Sequence, residues 1–113
     1  MRLSDYSFGR VKVDGNTKSS DFILHRDWLH DWWRESGHRV IPADLEKIIA
    51  REPDFIVFGE GANSRMSLTS SAKKLLKEQK IDFKSLPTAR AVKKFNELDD
   101  EGVDAAAALH LTC

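Results

Sequence analysis

Apolar and polar residues alternate from Phe8 through Gly9, Arg10, Val11 and Lys12 to Val13, and the alternation stops at Asp14-Gly15-Asn16. A period of two that ends in Asp-Gly predicts a strand and a tight hairpin turn, because that pair supplies the positive φ angles such turns need. Phe22-Ile23-Leu24 then falls in the returning strand. From Trp28 to Arg34 the chain is dense in tryptophan without clean alternation, which reads as irregular structure or a short strand.

The period next becomes helical. Leu45, Ile48 and Ile49 share one face between the opening Pro42-Ala43-Asp44 and the closing Pro53. Phe55 to Phe58 is a short β-favouring run bounded by Pro53-Asp54 and Gly59, the pattern of a buried strand. Thr69-Ser70-Ser71 caps a second helix with Ala72, Leu75 and Leu76 inward, and Ile81-Asp82-Phe83 makes a brief strand. Thr88 is placed to cap a third helix that turns Ala91, Val92, Phe95 and Leu98 inward and ends at Asp99-Asp100-Glu101-Gly102. Val103 to Thr112 pulls two ways, since four consecutive alanines favour helix. Two successive strand–helix–strand units need a third strand, so a strand is expected. The class that follows is α/β: one three-layer domain over residues 1–113, a mixed β-sheet flanked by helices with an N-terminal β-hairpin.

A chain of 113 residues supports one core, burying roughly 65% of its unfolded surface, with no need of disulfides or metal. Its 18 basic and 18 acidic residues cancel, which removes the electrostatic case for nucleic acid or an anionic membrane as main partner. Balanced charge also removes self-repulsion, so a monomer or weak homo-oligomer is expected. The single cysteine, Cys113, gives no disulfide framework. Met1-Arg2-Leu3-Ser4-Asp5 does not read as a signal peptide, and no apolar stretch is long enough to cross a bilayer. A cytoplasmic location is the expectation.

Several short motifs run in order along nearly the whole chain. They are Phe8-Gly9, Trp33-Arg34-Glu35-Ser36-Gly37-His38 before Pro42-Ala43-Asp44-Leu45, then Gly59-x-Gly61, Thr88-x-x-Ala91-Val92-x-x-Phe95-Asn96-x-Leu98 and His110-x-Thr112-Cys113. In this order and spacing the chain resembles the Mth-domain family, whose members include an adipogenesis-associated protein and a mitochondrial complex I assembly factor. The resemblance implies a compact α/β domain with a mixed sheet and a hairpin, and it carries over no catalytic residue. It also implies a small or hydroxyl residue between the two glycines, where this chain has Glu60.

Gly59-Glu60-Gly61 follows a strand but fails as a dinucleotide fingerprint. Ser64 stands where the third glycine belongs, and the next helix begins too late. A milder reading places the loop at the carboxyl end of a strand, where open α/β sheets hold ligands. If the strands ending near Phe58 and Leu86 are parallel neighbours, Gly59, Glu60, Gly61, Met66, Thr88 and Arg90 make a small anion or metabolite site beside a helix N-terminus. A simple N-cap is the plainer role for Thr88. Trp28, Trp32, Trp33, Arg34 and His38 form the second candidate, as buried core or as a protein interface, because Trp and Arg dominate binding energy at partner surfaces.

His110 and Cys113 invite a metal or nucleophile reading. Strand spacing sends them to opposite faces, and two residues do not make a zinc site. Lys73, Lys74, Lys77, Lys80, Lys84, Lys93 and Lys94 read as a solvated face. The expectation is a non-catalytic binding or assembly-supporting module with no cofactor and no metal. The alternative is a small-molecule or anion-binding protein, or an enzyme, using the Gly59–Gly61 loop and the Thr88 helix.

Overall fold

The computed structural model describes residues 1–113. The alternating N-terminal segment builds an antiparallel sheet of its own from β1 (Leu3–Ser7), β2 (Arg10–Val13) and β3 (Asn16–Lys18). Asp14-Gly15 forms the expected turn, but Phe8-Gly9 is itself a turn between β1 and β2, with Gly9 at φ 82°. Phe22-Ile23-Leu24 does not return to that hairpin. It belongs to β4 (Phe22–His25), whose four residues are all buried. A strand buried on both faces needs a layer above and below, which the small sheet cannot supply.

Strand β4 lies within a five-stranded mixed sheet of order β5-β4-β10-β7-β9, packed on both faces, in which β5 is Trp28–Asp31, β7 Phe55–Glu60, β9 Asp82–Leu86 and β10 Ala105–His110. The tryptophan-rich stretch is thus a strand to Asp31 and irregular beyond. Strand β10 runs antiparallel to β4 and parallel to β7, and β7 runs parallel to β9 with Gly59 opposite Leu86. The C-terminal segment is the expected strand and occupies the centre of the sheet. The two-residue strands β6 (Arg39–Val40) and β8 (Ser67–Leu68) pair beside it.

Helical segments take the lengths their caps permit. Pro42–Leu45 is a 3₁₀ turn leading into α1 (Glu46–Ile49), shorter than the 42–53 helix expected. The chain turns early because Glu52 adopts a left-handed φ of 54° ahead of Pro53. Helix α2 (Ser70–Glu78) is capped as expected, with Thr69 Oγ1 accepting from the Ala72 amide at 3.2 Å. Helix α3 (Thr88–Asp100) turns Ala91, Val92, Phe95 and Leu98 inward, but its N-cap is Pro87, with no side-chain cap. Thr88 is therefore not the cap.

Two clusters cover the two faces of the large sheet. On one face α3 and the small sheet pack Phe95, Leu98, Leu3 and Val11 onto Val57, Ala107 and Leu109. On the other, α1, α2 and the connecting loops pack Leu45, Ile48, Leu76 and Trp32 onto Ile56, Phe58, Ala106 and Ala108. The result is the three-layer α/β domain.

Candidate functional site

The parallel strands β7, β9 and β10 all end at one edge, which brings Glu60, Leu86 and His110 together. The Gly59–Gly61 loop and the start of α3 meet there, as the sequence suggests. What the structure adds is that their surfaces are occupied by the chain itself. A Cβ on Gly59 would lie 2.8 Å from both Leu109 Cδ2 and Thr88 Oγ1. A Cβ on Gly61 would lie 2.6 Å from the Cys113 carbonyl oxygen and 2.8 Å from His110 Cδ2, at a φ of 95°. Both glycines admit close packing of protein against protein.

Thr88 is fully buried and spends its hydroxyl on the end of β10 and on the loop that follows β7. Its Oγ1 donates to the His110 carbonyl at 2.6 Å and accepts from the Gly61 amide at 2.8 Å. Its own amide donates to the Gly61 carbonyl at 3.2 Å. The Thr88 amide, the Thr88 hydroxyl and the Gly61 amide, donors that a phosphate could use, are thus already engaged. The loop amides of Ala62, Asn63 and Arg65 donate to the carbonyls of Thr112 and Cys113. Glu60 accepts from the Ser85 hydroxyl at 2.7 Å, Met66 lies in the core, and Arg90 is exposed on α3.

Polar groups with spare capacity lie one strand further along. Asp21, which no sequence pattern marks, is 89 residues from His110 and places Oδ2 2.7 Å from His110 Nδ1. The same oxygen accepts from Arg34 Nη2 at 2.8 Å, while Oδ1 accepts from the Leu111 amide at 2.8 Å. Burial pushes the Asp21 carboxyl up. The hydrogen bonds from His110, Leu111 and Arg34 outweigh it and hold the group below its ordinary value. Arg34 Nη2 also lies 3.1 Å from His110 Nδ1, but the shorter contact to a carboxylate assigns the Nδ1 proton to Asp21. His110 Nε2 is then an acceptor in the neutral ring.

That atom is buried without a partner, as are Arg34 Nε and Nη1. The exposed His38 ring stands edge-on to His110 at 5.8 Å. An Asp–His pair with a free Nε2 is the arrangement of an oriented base. Here no hydroxyl or thiol is hydrogen-bonded to it, so it is equipped to hold a polar ligand or water. Tyr6 closes the same edge, donating to the Leu111 carbonyl at 2.8 Å. Burial, then the negative charge of Asp21, raises the Tyr6 pKa, and the Thr88 hydroxyl opposes the rise.

The tryptophan segment divides. Trp32 is buried with its Nε1 donating to the Asp44 carbonyl at 3.0 Å, and Trp28 is half-buried under Arg51. Arg34 is buried and stacks on the Trp32 ring at 4.4 Å. Trp33, between these two anchored residues, is 79% exposed. It borders a groove of about 350 Å³ between β5 and the 42–47 segment, lined by Asp31, Glu35, Asp44 and Glu46 with Lys47 as its one lysine.

A family model described as a protein of unknown function (DUF498/DUF598) matches residues 3–110. Among solved structures the chain is similar to the conserved hypothetical protein PH1505 from Pyrococcus horikoshii OT3, at 26% identity and a TM-score of 0.91 over 100% of both chains. It is similar to MT938 at 27% identity and a TM-score of 0.85, covering 99% of this chain and 98% of that one. A Mth938-like domain protein from Bordetella pertussis shares the fold at 15% identity and a TM-score of 0.71, over 97% of this chain and 85% of that one.

Proposed function

The chain belongs to the DUF498/DUF598 family, with the Mth938-like fold, and from that premise we propose that it is a non-catalytic binding module that docks a protein partner through Trp33. The observation that carries this reading is the contrast within three consecutive residues. Trp32 and Arg34 are locked into the fold, whereas the indole between them is presented to solvent. A large side chain held on a rigid base loses little freedom on binding, which is what makes a strong interface anchor. The acidic lining of the adjacent groove favours a partner that brings an apolar side chain with basic neighbours. The resemblance to a family that includes a complex I assembly factor fits such a role.

Affinity capture with the wild type and Trp33→Ala, read beside thermal stability, tests it. Trp33→Ala is expected to fold with stability within about 0.5 kcal/mol of wild type, as surface substitutions do, and to lose a stoichiometric partner. Retention of that partner overturns the reading. A second reading, a small polar ligand at the carboxyl edge, is favoured by the unpaired Arg34 Nε, Arg34 Nη1 and His110 Nε2. Its test is the His110 Nε2 resonance during titration with small carboxylates and phosphates. A resonance that never moves leaves those atoms to internal water.

A further inference from the structure

Although the whole chain is neutral, its cations are not evenly spread. Strand β9 is the last of the large sheet and pairs only with β7. Two shallow grooves flank it. The one against α3 is lined by Lys84, Arg90, Lys93 and Lys94, with Glu97 as its single acid. The one toward α2 holds Lys77 and Lys80 beside Phe83, with Asp82 as its single acid. None of these six cations forms an ion pair, which is also true of Arg10, Arg39, Lys47, Arg51, Arg65, Lys73 and Lys74; what sets the six apart is their place on the two flanks of one edge strand.

The strand between the grooves has backbone groups to offer. In a parallel ladder, alternate residues direct both N–H and C=O to the same side. Asp82 donates its amide to Asp54 on the β7 side at 3.2 Å, so alternation turns the amides and carbonyls of Phe83 and Ser85 to the open edge. An edge lysine normally discourages strand pairing. It does so against neutral or basic strands and the reverse against an acidic one. Two copies of β9 pairing antiparallel about Lys84 would set Lys84 against Lys84 of the twin, which disfavours that register.

We propose that the β9 edge is a second binding site, which takes an extended acidic polypeptide segment by strand addition. Phe83 and Ser85 supply the backbone hydrogen bonds, and the four cations of the α3 groove receive alternate carboxylates while the residues between them face Phe83. A protein segment is favoured over a nucleic acid because the open hydrogen-bonding row matches a polypeptide backbone. This site shares no residue with the Trp33 surface, so either proposal can fail alone.

The test is amide NMR of the intact protein with three probes: an alternating Glu-Val decapeptide, the same peptide N-methylated at every second residue, and an oligothymidine of equal length. The unmodified peptide is expected to shift and protect the Phe83 and Ser85 amides. Its binding should weaken about tenfold or more on N-methylation, and equally in the Lys84→Glu/Lys93→Glu variant. Equal binding of the N-methylated peptide reduces the edge to counter-ion attraction and overturns the proposal. So does tighter binding of the oligonucleotide, or no binding of any probe at low salt. The double variant lies on solvent-facing positions, and its undisturbed spectrum away from β9 separates lost binding from lost folding.

Discussion

Gly61 carries two constraints at once. It sits at a left-handed φ of 95°, and the position a Cβ would take is filled by the Cys113 carbonyl and the His110 ring. Gly61→Ala is expected to destabilise by about 2–4 kcal/mol, joining the backbone penalty to overpacking, measurable as a lower urea midpoint. Thr88 makes a complementary test. Thr88→Val keeps the shape but leaves the buried Gly61 amide without its acceptor, at a cost of about 1–3 kcal/mol. Thr88→Ser should recover most of it. A loss near that of an ordinary cap, unaccompanied by change at Gly61, would contradict the hydroxyl's bridging role.

Asp21 sets the acid limit at this scale. Its folded pKa lies below the ordinary carboxylate value, so the native state favours the ionised form. The stability it contributes is therefore whole above about pH 3.9 and is lost as pH falls through the lower folded value. Asp104 acts in the same sense. Burial raises its pKa, but Arg26 and His25 bring it below the ordinary value. Thermal midpoints measured from pH 6 down to pH 2 should fall more steeply for wild type than for Asp21→Asn. Parallel curves would mean that the carboxylate is not held ionised by its three partners.

At the scale of elements, β10 shows how tertiary position overrides propensity. Its four alanines favour helix in isolation, yet every residue of the strand is buried between β4 and β7. Alternate alanines face the two core clusters, Ala105 and Ala107 toward α3 and Ala106 and Ala108 toward the α1–α2 side. Small side chains let both layers approach the sheet. Ala107→Leu should overpack against α3 and destabilise by about 1–3 kcal/mol, whereas a helical segment would tolerate it.

The whole molecule is organised around β7 and β10, which contribute to both cores. Loss of either core removes the shared sheet, so unfolding should be a single transition. Tryptophan fluorescence reports the α1–α2 side, where Trp28 and Trp32 pack, and far-UV circular dichroism reports all layers. The two urea curves are expected to coincide for wild type, Phe95→Ala and Leu76→Ala alike. Separated midpoints would show that the layers unfold independently. No helix is long and apolar enough to cross a membrane.

Much of this was legible from local pattern. The buried strand at Phe55–Phe58, the Thr69 cap and the inward face of α3 follow from residues close together in the chain, while the final strand follows from the order of elements and the family resemblance from motifs spread along nearly all of it. Local periodicity states which face of an element is apolar, and turn residues state where it stops. Neither states which element covers that face. Strand partnership therefore had to come from the tertiary structure, as when Phe22–Leu24 left the N-terminal hairpin for the five-stranded sheet. Hydrogen-bond partnership did too. The Thr88 hydroxyl met the end of β10 and the loop after β7 instead of its own helix, and Asp21 met a histidine 89 residues away. Among three tryptophans of identical chemistry, only packing decided that Trp33 faces solvent. Burial is a property of the assembled layers and not of the residue.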